Sequence, residues 1–330
     1  MQKKKSKNKM NENENKISHW LLFFNLALLI SCLLLVFLIY SALHPQNAVK
    51  IEIATTLAPK VAQSDAFDNI SILGKSAVVI DLQNNTIVYR KNDTAQLPLA
   101  SLTKLMTALT AMELLPANTQ ITIRKDFLAD DAGSGLVAGE KWSLKNLLNF
   151  SLVVSSNGGA QNIAAAVGAT LDKTQDFSLG EADFIKQMNL QAQKLGLSQT
   201  YFLNESGLDE TATQSGGYGS AIDVAKLVQY ILTNKPDILE STKYASLSVT
   251  SLSTTHVAKN TNTLADTIPG LLASKTGYTD LAGGNLAVAF DTSIGHPFIA
   301  VVLGSTQSGR FTDMQTLVNA TMKYATTTGD

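Results

Sequence analysis

Ser101 and Lys104 stand three positions apart in the stretch Leu97-Pro98-Leu99-Ala100-Ser101-Leu102-Thr103-Lys104-Leu105-Met106. A serine hydroxyl is a weak nucleophile until a base lies beside it, and lysine becomes such a base once burial or a nearby cation lowers its pKa. Apolar residues at Leu102, Leu105, Met106, Leu109 and Met112 follow helical spacing. A helix beginning here puts Ser101 and Lys104 on one face, one turn apart. Its N-terminus also points backbone N–H groups at the same spot, where they can stabilise an oxyanion. Taken alone, the pair reads more readily as an ordinary surface serine and lysine on an amphipathic helix.

Two more polar triplets follow it. Ser155-Ser156-Asn157 comes after the apolar run Leu147 to Val154 and before a small-residue helix opening with Gly158-Gly159. Helix capping is its plain reading; in a site, Ser155 could relay a proton and Asn157 hold a substrate amide. Lys275-Thr276-Gly277 lies in a predicted strand. Gly277 lets another backbone approach closely, Thr276 can hydrogen-bond a carboxylate, and Lys275 adds positive charge. Each triplet is weak evidence by itself. Ser6-Lys7-Asn8-Lys9 in the N-terminal tail satisfies two of the same patterns by chance. The weight lies in order, separation and context.

The elements that must position these residues form a coherent series. Ala77-Val78-Val79-Ile80-Asp81-Leu82 reads as a buried strand, Asn84-Asn85 as a turn, and Thr86-Ile87-Val88-Tyr89 as the returning strand. Helical stretches are predicted near 143–153, 158–169, 181–195 and 219–233. Strands return near 271–278, 284–291 and 297–303, and a last amphipathic helix runs from about 310 to 324. Strands at both ends with helices between them predict an α+β domain. Its antiparallel sheet joins N- and C-terminal strands around a helical insert.

The rest of the 330-residue chain is read from charge and hydropathy. Its net charge is −1, which suggests no nucleic-acid partner, but residues 1–19 hold six lysines against Glu12 and Glu14. From Trp20 to Tyr40 no charged residue occurs. At about 1.5 Å per residue, such a run crosses a hydrocarbon core of ~30 Å. It exceeds a typical cleaved signal core, and no convincing small-x-small cleavage site follows. Beyond it, Lys50 and Lys60 are balanced by Glu52 and Asp65. The positive-inside rule then puts the N-terminus in the cytoplasm and the remainder outside. The expected organisation is a basic tail (1–19), a transmembrane signal-anchor helix (20–40), a stalk (41–72) and a folded domain (73–330) outside a cytoplasmic membrane. The single cysteine, Cys32, falls in the apolar run, and the four histidines are scattered. No metal site and no cofactor are expected.

Together the three triplets resemble the signature of penicillin-binding proteins and serine β-lactamases. The wording around them is similar to the low-molecular-weight D-alanyl-D-alanine carboxypeptidases. This holds for Ala100-Ser101-Leu102-Thr103-Lys104-Leu105-Met106-Thr107-Ala108, Val153-Val154-Ser155-Ser156-Asn157, Ser274-Lys275-Thr276-Gly277-Tyr278-Thr279 and Phe202-Leu203-Asn204-Glu205-Ser206-Gly207-Leu208-Asp209. The resemblance runs from about Ser76 to Lys323. It implies a β-lactamase/transpeptidase-like fold and an acyl-enzyme on Ser101, formed with peptidoglycan pentapeptide and blocked by β-lactams. Lys104 would take the proton and Ser155 would pass it to the leaving amine. The N–H groups of Ser101 and Tyr278 would form the oxyanion hole. Lys275, Thr276 and Arg310 would receive the terminal carboxylate, Arg310 on the weaker ground of Gly309-Arg310-Phe311 before the last helix. One departure is Gly158-Gly159, where the family often has an acidic residue after the asparagine. Two rivals share the motifs: a class A-like β-lactamase and a non-catalytic receptor for β-lactams or wall fragments. The first needs a water-activating glutamate, and Phe184 to Asn204 contains no Asp or Glu.

Overall fold

The computed structural model describes residues 60–61, 65–129, 131, 133–172 and 176–328, with three isolated positions earlier in the chain. Those positions, Leu28, Ser31 and Leu35, are helical. The expected tail and most of the expected anchor and stalk lie outside the described residues. Among the described residues no helix is long and apolar enough to cross a membrane.

The run Ser76–Asp81 (β2) is buried at every position and pairs antiparallel with Thr86–Lys91 (β3). Asp81 closes the turn between them, accepting the N–H groups of Gln83 and Asn84 at 2.9 and 3.0 Å. The C-terminal strands Leu271–Thr279 (β4), Gly283–Asp291 (β5) and Pro297–Ser305 (β6) complete one sheet. With the short edge strand Lys60–Val61 (β1), the order is β1-β3-β2-β6-β5-β4. All pairings are antiparallel except the parallel contact of β1 with β3. These strands read as nearly continuous apolar runs because both faces of the sheet are covered. Val78, Ile80, Ile299, Val301 and Leu303 face one core, with the helical insert. Their neighbours Ala77, Val79, Phe298, Ala300 and Val302 face the other, beneath Gly309–Thr328 (α6) and its Met314, Leu317 and Val318. This is the period-2 alternation of strand side chains.

The insert consists of Thr103–Leu114 (α1), Leu144–Val154 (α2), Asn157–Asp172 (α3), Phe177–Lys194 (α4) and Ala221–Asn234 (α5). Side chains of Ser143, Asp176 and Ser220 cap the N-termini of α2, α4 and α5. Serine- and threonine-rich residues form an additional hairpin, Ser246–Thr250 with Thr255–Lys259. The described residues of the folded unit begin with Lys60–Val61, ahead of the boundary expected at residue 73. Phe67 and Ile72 are buried in the second core, and Phe67 stacks on Tyr89 at 5.5 Å, so part of the expected stalk belongs to the domain.

Candidate active site

Ser101 lies in a tight 3-10 turn, Ala100–Leu102, that feeds directly into α1. Ala100 has φ +48°, a left-handed conformation that L-residues adopt at a cost. The turn is held from the sheet. Asn285 of β5, fully buried, donates to the carbonyls of Pro98 and Leu99 at 3.0 Å each and accepts from Gly304 N–H at 2.8 Å. Leu99 N–H donates to Gly217 O at 2.9 Å.

One helical turn later Lys104 is 2% exposed, and its ammonium donates to three oxygens. They are Ser101 Oγ at 2.9 Å, Asn157 Oδ1 at 2.7 Å and the carbonyl of Ser206 at 2.7 Å. Burial lowers its pKa to about 7, against the opposing pull of Glu205 and Asp131. A lysine neutral near pH 7 and hydrogen-bonded to a serine oxygen is equipped to remove that serine's proton.

Ser155 terminates α2 with φ +60°. This left-handed end reverses the chain so that α3 can begin at Asn157 and turn its side chain to Lys104. Lys275, also 2% exposed, donates to Ser155 Oγ and to Thr276 O, both at 2.8 Å. Its pKa is lowered well below the lysine range, first by burial and then by the positive charges of Lys104 and Arg310.

The third triplet lies on β4, the outermost strand at its end of the sheet. A Cβ at Gly277 would come within 2.8 Å of Leu99 O and 3.2 Å of Ser101 N, so only glycine lets this strand pass so close to the serine. Thr276 Oγ1 is 2.6 Å from Thr261 Oγ1. The Tyr278 side chain is 42% exposed. Arg310, at the start of α6, donates to Gly277 O at 2.8 Å; it reaches the triplet through the strand backbone and is 8% exposed.

All three triplets therefore converge. Ser101, Lys104 and Asn157 form one hydrogen-bonded set, and Ser155 and Lys275 form a second beside it. Gly277 abuts the serine turn, and Arg310 supports that strand. Four participants carry no local signal in the sequence: Asp131, Glu205, the Ser206 carbonyl and Thr261. They come from loops brought in by the fold. The segment holding Glu205 and Ser206 was conspicuous only by resemblance. Asn204 Oδ1 accepts from Gly207 N–H at 2.6 Å, and Asp209 accepts from Thr279 Oγ1 at 2.9 Å, tying this loop to the end of β4.

A family model described as D-alanyl-D-alanine carboxypeptidase matches residues 60–307. The chain belongs to that family. Among curated relatives, a D-alanyl-D-alanine carboxypeptidase of Bacillus subtilis is 30% identical over 211 residues, covering 62% of this chain and 51% of the relative. A D-alanyl-D-alanine endopeptidase of Haemophilus influenzae is 33% identical over 218 residues, covering 65% and 69%. This family member thus spans about half the length of the Bacillus relative. A penicillin-binding protein of Listeria monocytogenes, solved in its ampicillin-bound form, is similar with TM-score 0.64 and 28% identity, covering 76% of this chain and 98% of that one. A Streptomyces DD-transpeptidase has the same fold, with TM-score 0.68 at 22% identity, covering 76% and 97%. The transpeptidase-like α+β fold expected from the sequence is the fold of this family member.

Proposed function

We propose that the protein is a serine D-alanyl-D-alanine carboxypeptidase that trims peptidoglycan stem peptides through an acyl-enzyme on Ser101. The observation that carries this reading is the Lys104 ammonium, buried and held between Ser101 Oγ and Asn157 Oδ1 beside the edge strand β4. An extended D-alanyl-D-alanine terminus adds along that edge, its backbone pairing with β4. Lys275 and Arg310 lend the site positive charge, and the repulsion felt at Lys275 is relieved when a carboxylate arrives. Thr276 and Lys275 receive that carboxylate, with Arg310 contributing through the strand.

The scissile carbonyl then stands at Ser101. Ser101 Oγ attacks as Lys104 takes its proton, and the N–H groups of Ser101 and Tyr278 hold the oxyanion. Ser155, bonded to Lys275, passes a proton to the departing D-alanine amine. The ester that remains is attacked by water, with Lys104 acting again as base. Glu205 lies just outside the segment searched for a β-lactamase-type base; it is buried, and burial together with the neighbouring Glu181 raises its pKa.

We also assign the protein to the bacterial cytoplasmic membrane, anchored through residues 20–40 with the catalytic domain outside. The lysine block and the uncharged run support this assignment. The experiment for the central reading is labelling with fluorescent penicillin. The wild type is expected to be labelled covalently and Ser101→Ala not at all; a labelled alanine variant would refute the nucleophile assignment.

A further inference from the structure

Neither the first nor the second triplet contains a carboxylate, yet one holds the second triplet in place. Asp131, after the 3-10 turn Lys125–Leu128, accepts Ser156 Oγ–H on Oδ2 at 2.7 Å and Asn157 N–H on Oδ1 at 2.8 Å. Ser156 Oγ in turn accepts Gly159 N–H at 2.8 Å. One side chain thereby satisfies the start of α3, an end where negative charge is favoured. Asn157 is also the residue whose Oδ1 holds Lys104. Gly158 explains how the loop comes so near. A Cβ there would collide with the carbonyl of Phe127 and stand 3.0 Å from both Asp131 Cβ and Leu128 Cδ2. An acidic side chain at 158, the type expected from the family resemblance, would claim the space that the Asp131 loop fills.

We infer that Asp131 is a positioning residue for the reaction: it supplies from a separate loop the carboxylate that fixes Ser156 and Asn157, and through Asn157 it places Lys104, while Gly158 stays small to admit it. The inference rests on the acyl-enzyme reading above. Its charge acts as well as its shape. The ionisable groups facing Lys104 are Asp131 from this loop, Glu205 from the segment after residue 204, and Lys275 from β4. Arg124, on the same loop as Asp131, is engaged with Asp126 at 2.6 Å. Asp131 and Glu205 favour the charged lysine, so loss of Asp131 lowers the pKa of Lys104.

The test is the rate of penicillin acylation against pH for the full-length protein in detergent, as wild type, Asp131→Asn, Asp131→Ala and Ser101→Ala. Asp131→Ala is expected to slow acylation by about 10- to 100-fold, the scale of a misplaced catalytic group. It should also move the acid limb of the profile to lower pH. Asp131→Asn, which keeps one accepting oxygen, should retain more of the rate and show the same movement of the limb. Gly158→Asp should slow acylation, and by less when combined with Asp131→Gly, a non-additive pair. An acid limb that stays in place in both Asp131 variants, or strictly additive effects of the pair, would overturn the inference and leave Asp131 a structural residue. An unlabelled wild type, or a labelled Ser101→Ala, would instead overturn the reading beneath it.

Discussion

Lys104 occupies a position that discourages its own charge. Burial is the largest influence on it and brings its pKa to about 7, well below the ordinary 10.5. If the neutral amine is the base, as proposed above, acylation of Ser101 should rise with pH through an acid limb near 7. Stopped-flow acylation measured from pH 5 to 9 checks this; a rate flat across that range would remove Lys104 as the base. Lys104→Met should slow acylation by about 10²–10⁴, the usual contribution of a positioned general base. The same shift has a consequence for folding. Between about 7 and 10.5 the unfolded chain binds more protons at this lysine than the folded one does, so stability due to this group rises with pH across that window. Below pH 7 both states hold the proton and the full cost of burying the charge remains. Denaturant unfolding at pH 7 and pH 10 should therefore show the wild type gaining on Lys104→Met; an unchanged difference would contradict the shift. At this scale the sequence disclosed Ser101 and Lys104 through their spacing, because a helix brings positions three apart together. It disclosed neither Asp131 nor Thr261, whose contacts span 26 and 15 residues and depend on how loops fold back.

Among the elements, the sheet and the serine turn are joined by a single side chain. Asn285 sends its amide to two carbonyls of the segment before Ser101 and accepts from Gly304. Asn285→Leu fills similar volume but removes the partner of the part-buried Pro98 carbonyl and Gly304 N–H, while Leu99 O keeps the Leu102 N–H at 3.2 Å. It should cost about 1–3 kcal/mol for each group left unsatisfied, with partial relief by relaxation. A melting temperature equal to the wild type would show that the turn does not need the sheet. Elements with strong hydrophobic periodicity were legible in advance. The run Ala77 to Leu82 became β2, the three C-terminal strands appeared within a few residues of expectation, and Leu144–Val154 and Gly309–Thr328 are the helices read from the pattern. The hairpin Ser246–Thr250 with Thr255–Lys259 was not legible. Ser246–Thr250 does alternate polar and apolar residues, but its partner Thr255–Lys259 breaks the period with His256 and the adjacent Val257 and Ala258, and only Val249 and Ala258 are buried along the hairpin. The edge strand Lys60–Val61 and the burial of Phe67 were missed for a related reason: two short segments between prolines and polar residues carry no period to count.

At the scale of the whole molecule, two proposals can be tested: the membrane anchor through residues 20–40 and a slow penicilloyl-enzyme. The anchor is tested by extraction. Full-length protein should stay with membranes through high salt and carbonate, and external protease should digest the domain in spheroplasts; a mature soluble form beginning near residue 45 would show a cleaved signal instead. The acyl-enzyme has a more specific signature. Penicillin keeps its leaving group tethered after the ring opens, which obstructs water, whereas a D-alanyl-D-alanine peptide loses its terminal alanine and vacates the approach to the ester. The two substrates should therefore part company after acylation by the same serine. The direct measurement is intact mass of the protein during incubation with penicillin, alongside assay of D-alanine released from a pentapeptide by the same preparation. One persistent penicilloyl adduct on Ser101 and continuous release of D-alanine are expected. Rapid multiple-turnover hydrolysis of penicillin, with no alanine released from any of several pentapeptides, would contradict that expectation.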